Sequence, residues 1–140
     1  MDRQVKVIIR GLHMGEQSQD SQVETVVLAE YFQKNGSHYL FYQEKLEGFE
    51  QPVKNRIKFC PNIMELTRQG AVNVRMIFEA GKTHKSHYVM PYGELLLGID
   101  TKLVTLKEHK DRIRVEVEYA LELNGEHLSD NKMEILIQGK

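Results

Sequence analysis

Hydrophobic and polar residues alternate without a break over Arg112–Leu123, RIRVEVEYALEL. Ile113, Val115, Val117, Tyr119, Leu121 and Leu123 fall on one side; Arg112, Arg114, Glu116, Glu118, Ala120 and Glu122 fall on the other. Successive side chains of a strand point to opposite faces, so this stretch predicts a long strand with one buried and one wet face. On a helix the same residues would scatter around the axis and leave no apolar stripe. The pattern recurs more weakly along most of the chain. It predicts strands over Arg3–Met14, Val23–Lys34, Ser37–Lys45, Val53–Cys60, Ile63–Arg68, Val72–Glu79, Thr83–Met90, Glu94–Leu106, Arg112–Leu123 and Glu126–Gln138.

Turn signals separate these runs. Asn35-Gly36 and Asn124-Gly125 suit two-residue type I′ hairpins, because Asn and Gly tolerate the positive φ such a turn needs. Gln69-Gly70 and Ala80-Gly81 predict further tight reversals, and Cys60-Pro61-Asn62 and Met90-Pro91-Tyr92-Gly93 place Pro where a turn wants φ preset. Nearly all the connections are too short for anything but antiparallel neighbours. The least structured pieces are Gly15–Ser21 and Leu46–Gln51. A meander of this length has two edges to manage, and closing it into an up-and-down barrel removes them. Gly11 and Gly98, inside strand-like runs, fit the bends or bulges a barrel needs. The expectation is one all-β domain over residues 1–140, an antiparallel meander barrel, with a two-sheet sandwich as the alternative.

Composition narrows the partners. The 140 residues are 41% hydrophobic and 28% charged, as in ordinary globular proteins. A formal net charge of −1 and a pI near 6.6 argue against a general nucleic-acid or anionic-membrane binder. No apolar run reaches the length of a membrane span, and Met1-Asp2-Arg3-Gln4 leads straight into alternating sequence rather than a signal-peptide core. Cys60 stands alone, so no internal disulfide forms, and a cytoplasmic location is the natural reading.

The turns also carry a family pattern. Arg68-Gln69-Gly70-Ala71-Val72, Met76, Phe78-Glu79-Ala80-Gly81, Tyr88, Pro91-Tyr92-Gly93-Glu94-Leu95 and Thr101 together resemble the YwiB-like family of small bacterial proteins, a domain of unknown function. The resemblance spans nearly the whole chain and is most specific in its middle third. It implies a meander β-barrel of the calycin or lipocalin-like type and no particular activity. Met90 stands before Pro91 where the family pattern favours a small or polar residue, a departure that touches only local packing.

Candidate chemistry is sparse. His84 and His87, three apart on a strand, face opposite ways and cannot share a metal ion without a bulge. His13, His38, His109 and His127 are scattered and read as surface or rim residues. Cys60 beside Pro61 reads as a packed thiol, since nothing in the sequence locates a base to activate it. Acyl-transfer and phosphate-loop motifs are absent, and neither metal nor cofactor is implied. Lys54, Arg56 and Lys58 line one face of their strand, with Arg68 and Arg75 as further positive groups; a solvated face is the simpler explanation.

Several strands lack a clean polar face. Val26, Leu28, Tyr39, Phe41 and Leu96 compete with Val27, Leu40, Tyr42, Leu95 and Leu97 for one interior. Whichever set faces outward forms a patch that a homodimer contact near Phe41 and Leu96, or a covering loop, would bury. Function is therefore unknown from sequence. The favoured expectation is a non-enzymatic barrel taking a small apolar or amphipathic ligand, with Tyr42, Tyr88 and Tyr92 at its mouth. A protein-interaction domain acting through outer aromatic faces is the alternative. An enzyme acting on a small anionic substrate through Arg68, Arg75, Glu79 and Tyr88 ranks third.

Overall fold

The structure, a computed structural model, describes residues 3–11 and 24–139. Its strands are β1 (Gln4–Arg10), β2 (Glu24–Lys34), β3 (Ser37–Glu44), β4 (Val53–Cys60), β5 (Ile63–Gly70), β6 (Val74–Glu79), β7 (Lys82–Met90), β8 (Gly93–Glu108), β9 (Arg112–Leu123) and β10 (Glu126–Gly139). They form one antiparallel sheet in the order β6-β5-β4-β3-β2-β1-β10-β9-β8-β7. Chain neighbours pair throughout except at β6 and β7, and β1 closes on β10 from Val5↔Gly139 to Arg10↔Glu134. Across the β6–β7 seam, Asn73 and Val89 exchange backbone hydrogen bonds at 2.9 and 2.8 Å, and Ser86 Oγ donates to the Arg75 carbonyl. The result is a nearly closed ten-stranded barrel.

Local chemistry sets the corners. Asn35-Gly36 and Asn124-Gly125 both have positive φ at both positions, as type I′ hairpins require. Pro61 followed by Asn62 at φ 73° makes a type II turn. The register shifts fall between Thr101 and Leu103 and between His127 and Ser129, rather than at the glycines. Gly11 instead ends β1 at φ 74°, where a Cβ would lie 2.2 Å from the Lys132 carbonyl oxygen. β6 begins at Val74 rather than Val72, because the Asn73 side chain bonds to both backbone groups of Gly70 and holds 71–73 as a turn. Of the predicted loops, Gly15–Ser21 lies outside the described residues, as do Leu12–Met14 of the first predicted strand and Val23 of the second.

The period of two decides which apolar set fills the barrel. Leu40 and Leu97 are fully buried, and Val27, Tyr42 and Leu95 pack against the core. Val26, Leu28 and Phe41 are exposed on the outer wall. Inside, Phe78 of β6 meets Tyr119 of β9 edge to face with ring centroids 5.0 Å apart. Phe59, Met64, Met76 and Met133 fill the space around them at 1% exposure or less. Side chains from separate walls thus touch through the middle, as in a packed core.

Candidate functional site

Two polar groups interrupt this core, one toward each end. Inward positions alternate along β3 (Leu40, Tyr42, Glu44), β4 (Val53, Asn55, Ile57) and β5 (Met64, Leu66, Arg68), so their ends near the β3–β4 connection carry polar residues inward. Register puts Tyr42, Asn55 and Arg68 in one row across the three strands. Arg68, 4% exposed, bonds to Glu44 Oε1 at 2.5 Å and to the Tyr88 hydroxyl at 3.2 Å. Asn55 Nδ2 donates to the same Glu44 oxygen at 3.2 Å. A buried guanidinium is tolerable only when paired and hydrogen-bonded in this way. Burial, reinforced by the Glu44 charge and opposed by Arg68, pushes the Tyr42 phenol up, so it stays a hydrogen-bond donor.

At the opposite end His38 is 3% exposed. It lies inward because it shares parity with Leu40 and Tyr42, so it is not the surface histidine its isolation in sequence suggests. Its Nδ1 is 2.6 Å from the Tyr31 hydroxyl, its Nε2 pairs with Glu108, and its ring stacks on Phe59 at 4.8 Å. Burial and then the Glu108 charge raise the Tyr31 phenol. His84 pairs with Glu79 at 2.9 Å, and His87 pairs with Glu94. Cys60 is a half-buried free thiol at the end of β4. No group of three or more His, Cys, Asp or Glu among the described residues could hold a metal ion.

The predicted ligand-binding residues divide. Tyr42, Arg68 and Tyr88 share the buried cluster. Arg75 sits outside on Glu65, Glu79 lies beside the β6–β7 turn with Lys82 and His84, and Tyr92 is 79% exposed on the β7–β8 turn. Sequence reasoning passed over Glu44 and Asn55, although the parity of Asn55 with Val53 and Ile57 was readable. Phe41 and Leu96 stand on β3 and β8, five strands apart either way around the barrel. One twofold contact patch cannot contain both.

The outer wall carries the concave surface. β2 pairs with β3 only from Glu30↔Phe41 to Lys34↔Ser37; beyond Phe41 the two strands part. A groove of about 580 Å³ opens there, lined by Glu30, Phe32, Phe41, Gln43 and Lys54, and by Tyr42 and Asn55 from the polar row. Phe32 and Phe41 meet edge to face at 5.8 Å along it. A second groove of about 400 Å³ shares Phe41, Lys54 and Asn55 and runs on over Arg56, Glu65, Thr67, Gln69 and Arg75.

In the second groove Glu65 accepts hydrogen bonds at 2.9 Å from both Arg56 and Arg75. The Arg75 hydrogen bond is the largest cause holding the Glu65 carboxyl below its ordinary range, against partial burial. A carboxyl with a lower folded pKa stabilises fully above its unfolded value, ~4.3, and that contribution is lost as pH falls through the folded value. Glu65→Gln should therefore lower stability at about pH 7, with the gap to the parent narrowing toward about pH 3 in urea titrations. A gap of the same size at both pH values would show that the ion pairs are not its source.

Comparison with known proteins places this geometry in context. Residues 7–135 match the model of a family described as "Domain of unknown function (DUF1934)". A curated relative, the "Uncharacterized beta-barrel protein YwiB" of Bacillus subtilis (strain 168), is 27% identical over 109 residues, covering 78% of this chain and 75% of that protein. The crystal structure of ywiB protein from Bacillus subtilis superposes with a TM-score of 0.81 at 22% identity, over 99% of this chain and 92% of that one. At that identity the likeness speaks to the fold alone.

Proposed function

The chain belongs to the DUF1934 family, a YwiB-like β-barrel family without an assigned activity, and from that premise we propose that it is a non-enzymatic binding module for a small amphipathic molecule. The ligand lies in the outer groove where β2 and β3 part, its apolar body against Phe32 and Phe41 and its polar end toward Lys54, Asn55 and Tyr42. The observation that carries this reading is the combination of aromatic side chains left outside the core with a wall opening lined by residues of the buried polar row. A middle bridged by Phe78 and Tyr119 favours the outer wall over a hollow calyx. Amphipathic sites pair apolar lining with a few placed polar groups, and this groove has both. No described helix is long and apolar enough to cross a membrane, and the lone cysteine fits a reducing cytoplasm.

The anionic fluorophore 1-anilinonaphthalene-8-sulfonate is a suitable probe. It should bind saturably, and Phe41→Ser should weaken it about tenfold, the loss of one well-covered aromatic contact. Leu103→Ser, an equally exposed change on β8 of the opposite wall, should leave the affinity as it is. Equal affinities for the parent and Phe41→Ser would overturn the proposal and leave this face to a protein contact.

A further inference from the structure

The groove over β3–β6 holds more positive than negative charge: Lys54, Arg56 and Arg75 surround the one carboxylate of Glu65. Glu65 is divided between two guanidiniums, so it neutralises neither completely. Lys54 makes no ion pair with any described residue. Arg56 and Thr67 stand opposite each other in the β4–β5 register, with Arg75 next in the same row. Arg56 Nε and Thr67 Oγ1 are both buried and have no hydrogen-bond partner among the described residues. Buried polar atoms are nearly always satisfied, and two orphans side by side under one groove are an exception that calls for a cause. Both can donate a hydrogen bond, and both lie in a positive surround.

From this we infer that the second groove is the head-group subsite of the proposed ligand, and that the head group is an oxyanion, a phosphate or a carboxylate. The inference rests on the amphipathic-ligand reading and names its chemical class. The Arg56 side chain is 41% exposed, and as it turns toward the anion its Nε–H and the Thr67 hydroxyl are brought to bear. Lys54 closes over the anion from the shared edge of the two grooves, and the apolar body extends over Phe41 into the first groove. Charge-assisted hydrogen bonds from a guanidinium fork suit both candidate oxyanions, whereas a neutral alcohol would gain little from them.

The test is an NMR titration of the full chain with phenyl phosphate, phenylacetate and benzyl alcohol, three probes with the same aromatic body. At least one anion should bind about tenfold more tightly than benzyl alcohol, with amide shifts at Lys54, Arg56 and Thr67. In Arg56→Gln the anion advantage should vanish while benzyl alcohol binds as before; Thr67→Val, close in shape, should reduce it. A preference for phenyl phosphate identifies a phosphate ester, and a preference for phenylacetate identifies a carboxylic acid. Benzyl alcohol binding as tightly as both anions would overturn the oxyanion subsite and spare the broader reading. So would an anion advantage that survives in Arg56→Gln. Failure of all three probes to bind would defeat both.

Discussion

Phe78→Ala should cost about 3–5 kcal/mol of stability, read from the midpoint of a urea titration. Phe78 is fully buried on β6, and its ring makes the edge-to-face contact with Tyr119 that spans the barrel. Removing it takes away both a large apolar side chain and that aromatic pair, and leaves a void that the surrounding strands cannot collapse into without breaking ladder hydrogen bonds. A cost below about 1 kcal/mol would mean that the interior already holds free space, as a hollow carrier would. Phe78→Leu, which keeps most of the volume, should recover much of the loss.

Gly70→Ala should be as severe for a different reason. Gly70 ends β5 at φ 134°, and a Cβ there would lie 2.1 Å from the backbone oxygen of Pro52. The clash is with backbone rather than a flexible side chain, so β4 and β5 must separate at the Val53↔Gly70 pair. The expected loss is about 3 kcal/mol or more, a drop in Tm readable by calorimetry. Gly125→Ala supplies the contrast. Gly125 also has positive φ, at 88°, but nothing lies within 4 Å of its missing Cβ. Only the left-handed conformation is then penalised, by about 1–2 kcal/mol. Similar losses for the two variants would show that the Pro52 approach relaxes freely.

Most of the fold was legible in the sequence because period-two alternation and turn chemistry agree along the chain. Arg112–Leu123 and Val53–Cys60 coincide with β9 and β4. Ends shifted where side chains cap the backbone, as Asn73 does for Gly70, a contact that propensity does not encode. The doubly apolar runs were ambiguous because both faces of Val26–Leu28 and Tyr39–Tyr42 are greasy; only the packing of Leu40 against the core chose between them. Inward orientation of Arg68 and His38 follows from their parity with Leu66 and Leu40, so that part was within reach. What parity cannot supply is the cross-strand register that brings Glu44 and Asn55 to Arg68, or the seam that carries Tyr88 in from β7. Still less could it show that β2 leaves β3 after Glu30, because a missing pairing is a property of barrel stagger rather than of any residue.

The central claim is that recognition happens on the outer wall of a filled barrel. Methyl-labelled methionine tests it directly, because Met64, Met76 and Met133 are all interior, at 1% exposure or less. Spectra recorded as 1-anilinonaphthalene-8-sulfonate is titrated to saturation should show these three methyl signals unmoved while the amides of Phe32, Phe41 and Lys54 shift. Large shifts of the interior methyls, with the Phe32, Phe41 and Lys54 amides unchanged, would place the ligand inside the barrel and contradict the account.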